Sequence, residues 1–356
     1  MDTCGTTDIP ARTVMFQLMA GKQIAFSLAG VARLGVADHM SDDPVAVEAL
    51  AREVGAQPDA LFRVMRLLAS VGVFEQFPGR QFALTSAGKH LQTDVPGSVR
   101  YLAAFSGDEW STRPYEHFLH CLRTGEDGVS KAYGKHAFDL LAERPDQAEN
   151  FHQAMTANSG LQACAILDAY DFSGIKRIAD VGGGHGLLLS AILETYPDMT
   201  GVLYDLPEVV ADVPAERISK CGGRLEIQSG SFFEAVPEAC DVYLAKHIIH
   251  DWSDEHCRKL LRLMRGHLPA TGRVLICDMV MPEDSAPNPA KVRDIEMLVM
   301  TPGGRERTGE EFRALFMSAN LRLSRIVETA LPICVIEGVP LKRPKVALEK
   351  QASLPR

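Results

Sequence analysis

Two histidines three residues apart, His247 and His250, stand in the run Ala245-Lys246-His247-Ile248-Ile249-His250-Asp251-Trp252-Ser253-Asp254, directly after an apolar stretch. Such a pair can hold a metal, fill a turn near the core, or move protons. The metalloprotease spacing fails, because it is HxxH and no Glu follows the first histidine, so no metal is expected here. Ser253, ahead of Asp254 and Glu255, makes a good helix N-cap with acids in the first turn, which on its own gives His250 only a place in the preceding loop. A histidine near its ordinary pKa of about 6.5 is also suited to take a proton from a hydroxyl. The residues alone leave turn and base both open.

A second group lies upstream. Ile178-Ala179-Asp180-Val181-Gly182-Gly183-Gly184-His185-Gly186 reads as a strand entering a glycine turn, followed by a helix from Leu187 to Thr195. Glycines let a backbone approach a ligand closely. A dinucleotide fingerprint would want glycine at 187, where Leu stands. Asp180 would repel a pyrophosphate but suits a ligand carrying an amino group and a sulfonium, which favours S-adenosyl-L-methionine over NAD. Asp205, in Leu203-Tyr204-Asp205-Leu206-Pro207, ends the next strand. Its carboxylate can accept ribose hydroxyls or start the following helix, and both roles stay open.

These residues need strands to carry them. Arg177–Val181, Gly201–Tyr204, Arg224–Gln228, Val242–Ala245, Arg273–Cys277, Arg322–Val327 and Ile333–Glu337 read as strands, with helical stretches between most of them. The alternation predicts an α/β parallel doubly wound sheet that binds its ligand beyond the carboxyl ends of the strands. Residues 1–100 read as helical, with helix, turn, helix and a two-stranded wing at 71–74 and 82–84, so a winged helix is expected. Residues 101–170 read as a helical linking region and 171–356 as the ligand-binding domain. A winged helix that reads DNA needs a cationic face, yet residues 1–100 hold ten acidic against nine basic side chains and the whole chain carries a net charge of −9. No nucleic-acid partner is expected. The sequence has no unbroken run of 18 apolar residues and no leader-like start, and its eight cysteines are scattered singly. The expectation is a cytoplasmic protein with reduced thiols and no membrane partner.

Asp180-Val-Gly-Gly-Gly-His-Gly186, Tyr204-Asp-Leu-Pro-Glu208, Lys246-His-Ile-Ile-His-Asp-Trp-Ser-Asp254, Met279-Val-Met-Pro-Glu283 and Pro302-Gly-Gly-Arg-Glu-Arg-Thr308 together resemble the caffeic acid and acetylserotonin type O-methyltransferases and their bacterial small-molecule relatives. The match runs in order from about residue 12 to 340. It implies a Rossmann-like class I methyltransferase domain with an N-terminal, mainly helical winged-helix dimerisation domain, and therefore a homodimer. It also implies a general base at His250, supported by Asp278 and Glu306. Asp180, Gly182, Gly184, Asp205, Leu206, Ser231, Phe232 and Lys246 would hold S-adenosyl-L-methionine. Phe151, Met155, His247, Asp251, Met297 and Thr301 would face an aromatic small-molecule substrate. The implied activity is methylation of a hydroxyl, most simply phenolic, on a secondary metabolite.

Two departures stand out. Gly230-Ser231-Phe232-Phe233 replaces the family's Gly-Asp-x-Phe, so adenine is expected to rest more on Phe232 than on an acid. His247 replaces a bulky aromatic residue, which points to an edge of the substrate pocket. The rival readings are the same fold and cofactor with a carbon or nitrogen acceptor or non-methylating chemistry, and a ligand-sensing regulator built on the winged helix.

Overall fold

The computed structural model describes residues 11–341. The N-terminal decapeptide and Cys4 lie outside that range, so the reading of this start as lacking a leader finds no structural counterpart. The chain forms two compact units: one holds the residues up to Cys164 together with Glu296–Gly303, the other Ala165–Ile295 and the residues from Gly304. The segment 101–170 read as a linking region thus belongs, up to Cys164, to the first unit.

In the first unit, helices Ala11–Met19 and Gly21–Leu34 are followed by Val47–Glu53 and Pro58–Ser70. Pro58 takes the first helical position, where no backbone donor is missed, and Gln57 accepts from the Ala60 N–H. Three short strands follow the winged-helix pattern: β1 (Val45–Ala46), β2 (Phe74–Phe77) and β3 (Gln81–Leu84), in the order β1-β3-β2. The wing is therefore three-stranded, because Val45 and Ala46 pair with Phe82 and Gln81. Its first expected strand also starts later, at Phe74, since Gly72 takes a φ of +86°. Leu50, Met65, Leu68, Phe74 and Phe82 are fully buried between helices and wing.

The 22 residues Thr13–Leu34 are apolar and long enough, by length and composition, to cross a bilayer. The sequence reading missed this because Gln17, Lys22 and Gln23 interrupt the apolar run. Ala20 divides the stretch into two helices, and Met15, Phe16, Leu18 and Met19 are exposed.

The second unit is a seven-stranded sheet. Its strands are β4 (Arg177–Val181), β5 (Thr200–Asp205), β6 (Leu225–Ser229), β7 (Val242–Lys246), β8 (Arg273–Met279), β9 (Leu321–Glu328) and β10 (Ile333–Pro340), ordered β6-β5-β4-β7-β8-β10-β9. The first five run parallel, with β4 paired to β5 on one side and β7 on the other. Strand order reverses there, and sheets of this kind take their ligands beyond the carboxyl ends of the strands at such a reversal. The expectation of a parallel sheet fails at its far edge, where β10 is antiparallel to both β8 and β9. The four residues between β9 and β10 are too few for a parallel crossover, and the Thr329 hydroxyl closes the turn onto the Leu331 and Ile333 carbonyls. Val202, Tyr243, Ile276, Leu260 and Phe316 are among the side chains buried where the sheet meets its helices.

Candidate active site

At or just beyond the carboxyl ends of β4, β5, β7 and β8 stand Asp180, Asp205, Lys246, His247, His250 and Asp278. At the end of β4 the chain turns through Gly182, whose N–H donates to the Tyr204 carbonyl at 2.8 Å. Gly182 has a φ of +70°, and a Cβ on it would lie 2.4 Å from the Ile248 side chain and 3.5 Å from the Phe232 ring. A Cβ at Gly183 would lie 2.7 Å from the Asp180 carboxyl carbon. Only a residue without a Cβ leaves room for that carboxyl. Asp180 is buried and its Oδ1 has no hydrogen-bond partner among the described residues. Burial, against the pull of Lys246 and with a push from Asp205, raises it to about 7. Burial in turn draws the Lys246 ammonium below its ordinary range, against the charges of Asp180, Cys277 and Asp278.

Asp205 works on its own loop. Its Oδ2 accepts from the Gly184 N–H at 2.8 Å and its Oδ1 from the Leu206 N–H at 2.7 Å. Both oxygens keep a second lone pair, so this bracing leaves acceptor capacity for a hydroxyl. The Leu206 side chain is exposed at the rim. Gly230 donates to the Asp205 carbonyl, and the next residue, Ser231, accepts from the Phe233 N–H at 3.3 Å. Phe232 packs edge-on against Phe233. A buried carboxylate, a bare glycine turn and an apolar ring side by side fit a ligand with a cationic end and a flat heterocycle.

The two histidines sit where β7 ends. His247 has a φ of +55°, uncommon for a residue with a Cβ, and its N–H donates to the Cys277 carbonyl of β8. Its ring stacks on that of His250, with centroids 5.0 Å apart and planes 22° from parallel. His250 lies in the short helical turn Ile249–Asp251 and is buried. Its Nδ1 is 2.8 Å from Glu306 Oε1, and its Nε2 is 3.6 Å from Asp251 Oδ1. The two acids read as its supports behave differently. Glu306 touches the ring, whereas Asp278 lies 3.7 Å from His247 Nδ1 and has no hydrogen-bond partner for either oxygen among the described residues.

Charge explains the titration. Burial pulls His250 down, but the carboxyls of Asp251, Asp278 and Glu306 outweigh it and raise the imidazole to about 9. His247 goes the other way, well below 6.5, through burial and the neighbouring charges of Lys246, His250 and Arg293. Asp278 is pushed up by burial, and the charges of Glu306 and Asp251 act in the same direction. His250 therefore stands above the ordinary 6.5 used in reading the sequence. Donor atoms of His247, His250 and Asp278 also lie within 4.8 Å of one another, a spacing the sequence pattern did not suggest.

The residues read as facing substrate fall into two groups. His247 and Asp251 belong to the second unit; Phe151, Met155, Met297 and Thr301 belong to the first. Phe151 packs on Phe105 and Trp110, at 5.6 and 5.7 Å between centroids, beside the buried Val299 and Met300. Met155 is half-buried. Met297 and Thr301 are buried, and the Thr301 hydroxyl donates to the Met297 carbonyl. Sequence reasoning passed over Arg307, whose side chain is almost wholly buried behind the His250 turn. Its only signal was the Arg-Glu-Arg triplet in a loop.

Comparison with known proteins gives matches over most of the chain. The O-methyltransferase domain family matches residues 115–322, and the O-methyltransferase dimerisation domain family matches residues 16–94. The phenazine O-methyltransferase PhzM of Lysobacter antibioticus is 36% identical over 335 residues, covering 94% of this chain and 97% of that protein. The crystal structure of LaPhzM superposes with a TM-score of 0.86 at 36% identity, covering 94% of this chain and all of that one. CalO1, a methyltransferase in calicheamicin biosynthesis solved in its SAH-bound form, gives a TM-score of 0.83 at 32% identity over 96% of this chain and all of that one.

Proposed function

This chain belongs to the O-methyltransferase family that carries a dimerisation domain and uses S-adenosyl-L-methionine, and on that premise we propose that it methylates a phenolic hydroxyl of an aromatic secondary metabolite with His250 as general base. The observation that carries this reading is the buried 2.8 Å contact between His250 Nδ1 and Glu306, which fixes the ring and leaves Nε2 as the proton acceptor.

S-adenosyl-L-methionine, when bound, supplies an electrophilic methyl on a sulfonium. His250 Nε2 would take the proton of the acceptor hydroxyl as that oxygen receives the methyl and the cofactor leaves as the neutral thioether. A phenol titrates near 10, so a histidine held at about 9 takes its proton with little energetic mismatch. Glu306 at Nδ1 and the charges of Asp278 and Asp251 then stabilise the imidazolium. Asp251 flanks Nε2 and is suited to orient the acceptor hydroxyl. On the cofactor side, Asp180 would take the amino end, Asp205 the ribose, and Phe232 with Ser231 the adenine, with Gly182, Gly184, Leu206 and Lys246 around them. Phe151, Met155, Met297, Thr301 and His247 are the side chains we assign to the aromatic acceptor.

We read the protein as a cytoplasmic homodimer with no nucleic-acid, membrane or metal partner. The match to the dimerisation family supports self-association. The seven described cysteines are all free, which fits a reducing compartment. The test is His250→Ala with labelled S-adenosyl-L-methionine and a panel of phenolic acceptors. Turnover should fall by about 10²-fold or more while cofactor binding holds, and near-normal turnover would overturn the assignment.

A further inference from the structure

Arg307 is the largest fully buried side chain among the described residues, with 1% of its surface exposed. Burying a guanidinium demands that its five N–H groups be used. Here they converge on the turn that carries His250. Nη1 donates to the Ile249 carbonyl and Nη2 to the Trp252 carbonyl, each at 2.8 Å. Nε and Nη2 both donate to Asp254 Oδ1, at 3.0 and 2.8 Å. The carbonyl between them is held as well, since the Arg305 N–H donates to the His250 carbonyl at 2.8 Å. The backbone of Arg307 is itself tied to the chain leaving β8, through its pairing with Val280 and the Met281 N–H on its carbonyl.

In an extended run, successive side chains point to opposite sides. Arg305-Glu306-Arg307 uses this: Glu306 reaches the imidazole, while Arg307 passes behind the turn and Arg305 joins it on Asp254 Oδ2 at 3.2 Å. One triplet therefore grips the ring of His250 and the backbone on either side of it.

We propose that Arg307 is the positioning residue of the base: by fixing the Ile249 and Trp252 carbonyls it keeps the His250 imidazole in register with Glu306 and with the acceptor oxygen. This rests on His250 being the base. Arg307 makes its hydrogen bonds to the turn and not to the imidazole, so its effect is to run through the placing of His250.

The experiment is a double-mutant cycle of Arg307→Met with His250→Ala. Methionine keeps length and apolar bulk but removes every donor. R307M should lower kcat by about 10²-fold, the loss expected when a reacting group is displaced by about 1 Å. KM for acceptor and the dissociation constant for S-adenosyl-L-methionine should change by no more than about twofold, since uniform binding is untouched. R307K should recover part of the loss. In the H250A background R307M should cost almost nothing further, because no base remains to be placed. If R307M slows H250A by the same factor as it slows the parent, Arg307 is only structural and the proposal is overturned. A near-normal H250A would instead overturn the base itself, which separates the two failures. Should R307M not fold, Asp254→Asn takes its place in the cycle, since Asp254 is half-exposed and aims the guanidinium from outside. Additive losses there overturn the proposal equally.

Discussion

Replacing Glu306 with Gln removes one negative charge from a buried contact while keeping shape. Glu306 follows Asp251 and Asp278 among the carboxyls that hold His250 up, so removing its charge should lower the raised value of about 9 in the variant while the other two still act upward. A base works in its neutral form, so the parent enzyme should gain rate about tenfold per pH unit up to about 9, with about 1% of His250 neutral at pH 7. In E306Q the rising limb should move to lower pH. Its plateau should fall by about 10² to 10⁴, because the imidazolium loses its counter-charge and the amide no longer fixes the proton on Nδ1. The assay is methyl transfer at saturating S-adenosyl-L-methionine from pH 5.5 to 10, run with two acceptors of different phenol pKa. A limb that follows the acceptor, or one that does not move in E306Q, would refute the assignment of the raised value to this pair.

Asp180, held near 7 chiefly by burial, favours the protonated form in the folded protein, so its contribution to stability is lost as pH rises from about 4 through about 7. A cationic ligand reverses that preference: S-adenosyl-L-methionine should bind more tightly at pH 8 than at pH 6 and release a proton, and D180N should weaken binding by about tenfold or more at pH 8 and flatten the profile. Equal calorimetric affinities at the two pH values in the parent would count against it. Dialysis against a chelator should leave turnover unchanged; a loss restored by a divalent ion would mean that His247, His250 and Asp278 hold one. Leu18→Asp with Met19→Asp should convert a dimer to monomers in light scattering, at two exposed apolar positions, and a persistent dimer would place the interface elsewhere.

What sequence could reveal follows from where each signal resides. Strands β4 to β8 were legible because buried parallel strands are short apolar runs punctuated by Gly and Asp at the ends where ligands bind. The reversal of β10 was not, since Ile333–Pro340 reads the same in either direction and only its partners decide. The glycine turn was legible through Leu187, which breaks the dinucleotide spacing. That Asp205 braces Gly184 and Leu206 was neither of the two roles left open, and the cap role is absent because Leu206 starts the helix with no side-chain cap bond. The raised titration of His250 was not legible because it depends on how closely Asp251, Asp278 and Glu306 gather round a buried ring, and residue types do not carry burial. Arg307 carried no periodicity at all: its contacts to 249 and 252 span more than fifty residues, and a loop arginine is ordinarily solvated.

The inner position of β10 bears on how the chain is made. Its partner on β8 is complete at Met279, yet Ile333 through Gly338, which pair with Met279 back to Val274, are translated only after the His250-gripping triplet and β9. Until then the outer rim of β8 offers a row of unsatisfied amides and carbonyls to any neighbouring nascent chain. Overproduction at lower temperature, or with chaperones that shield such rims, should therefore raise the yield of dispersed protein.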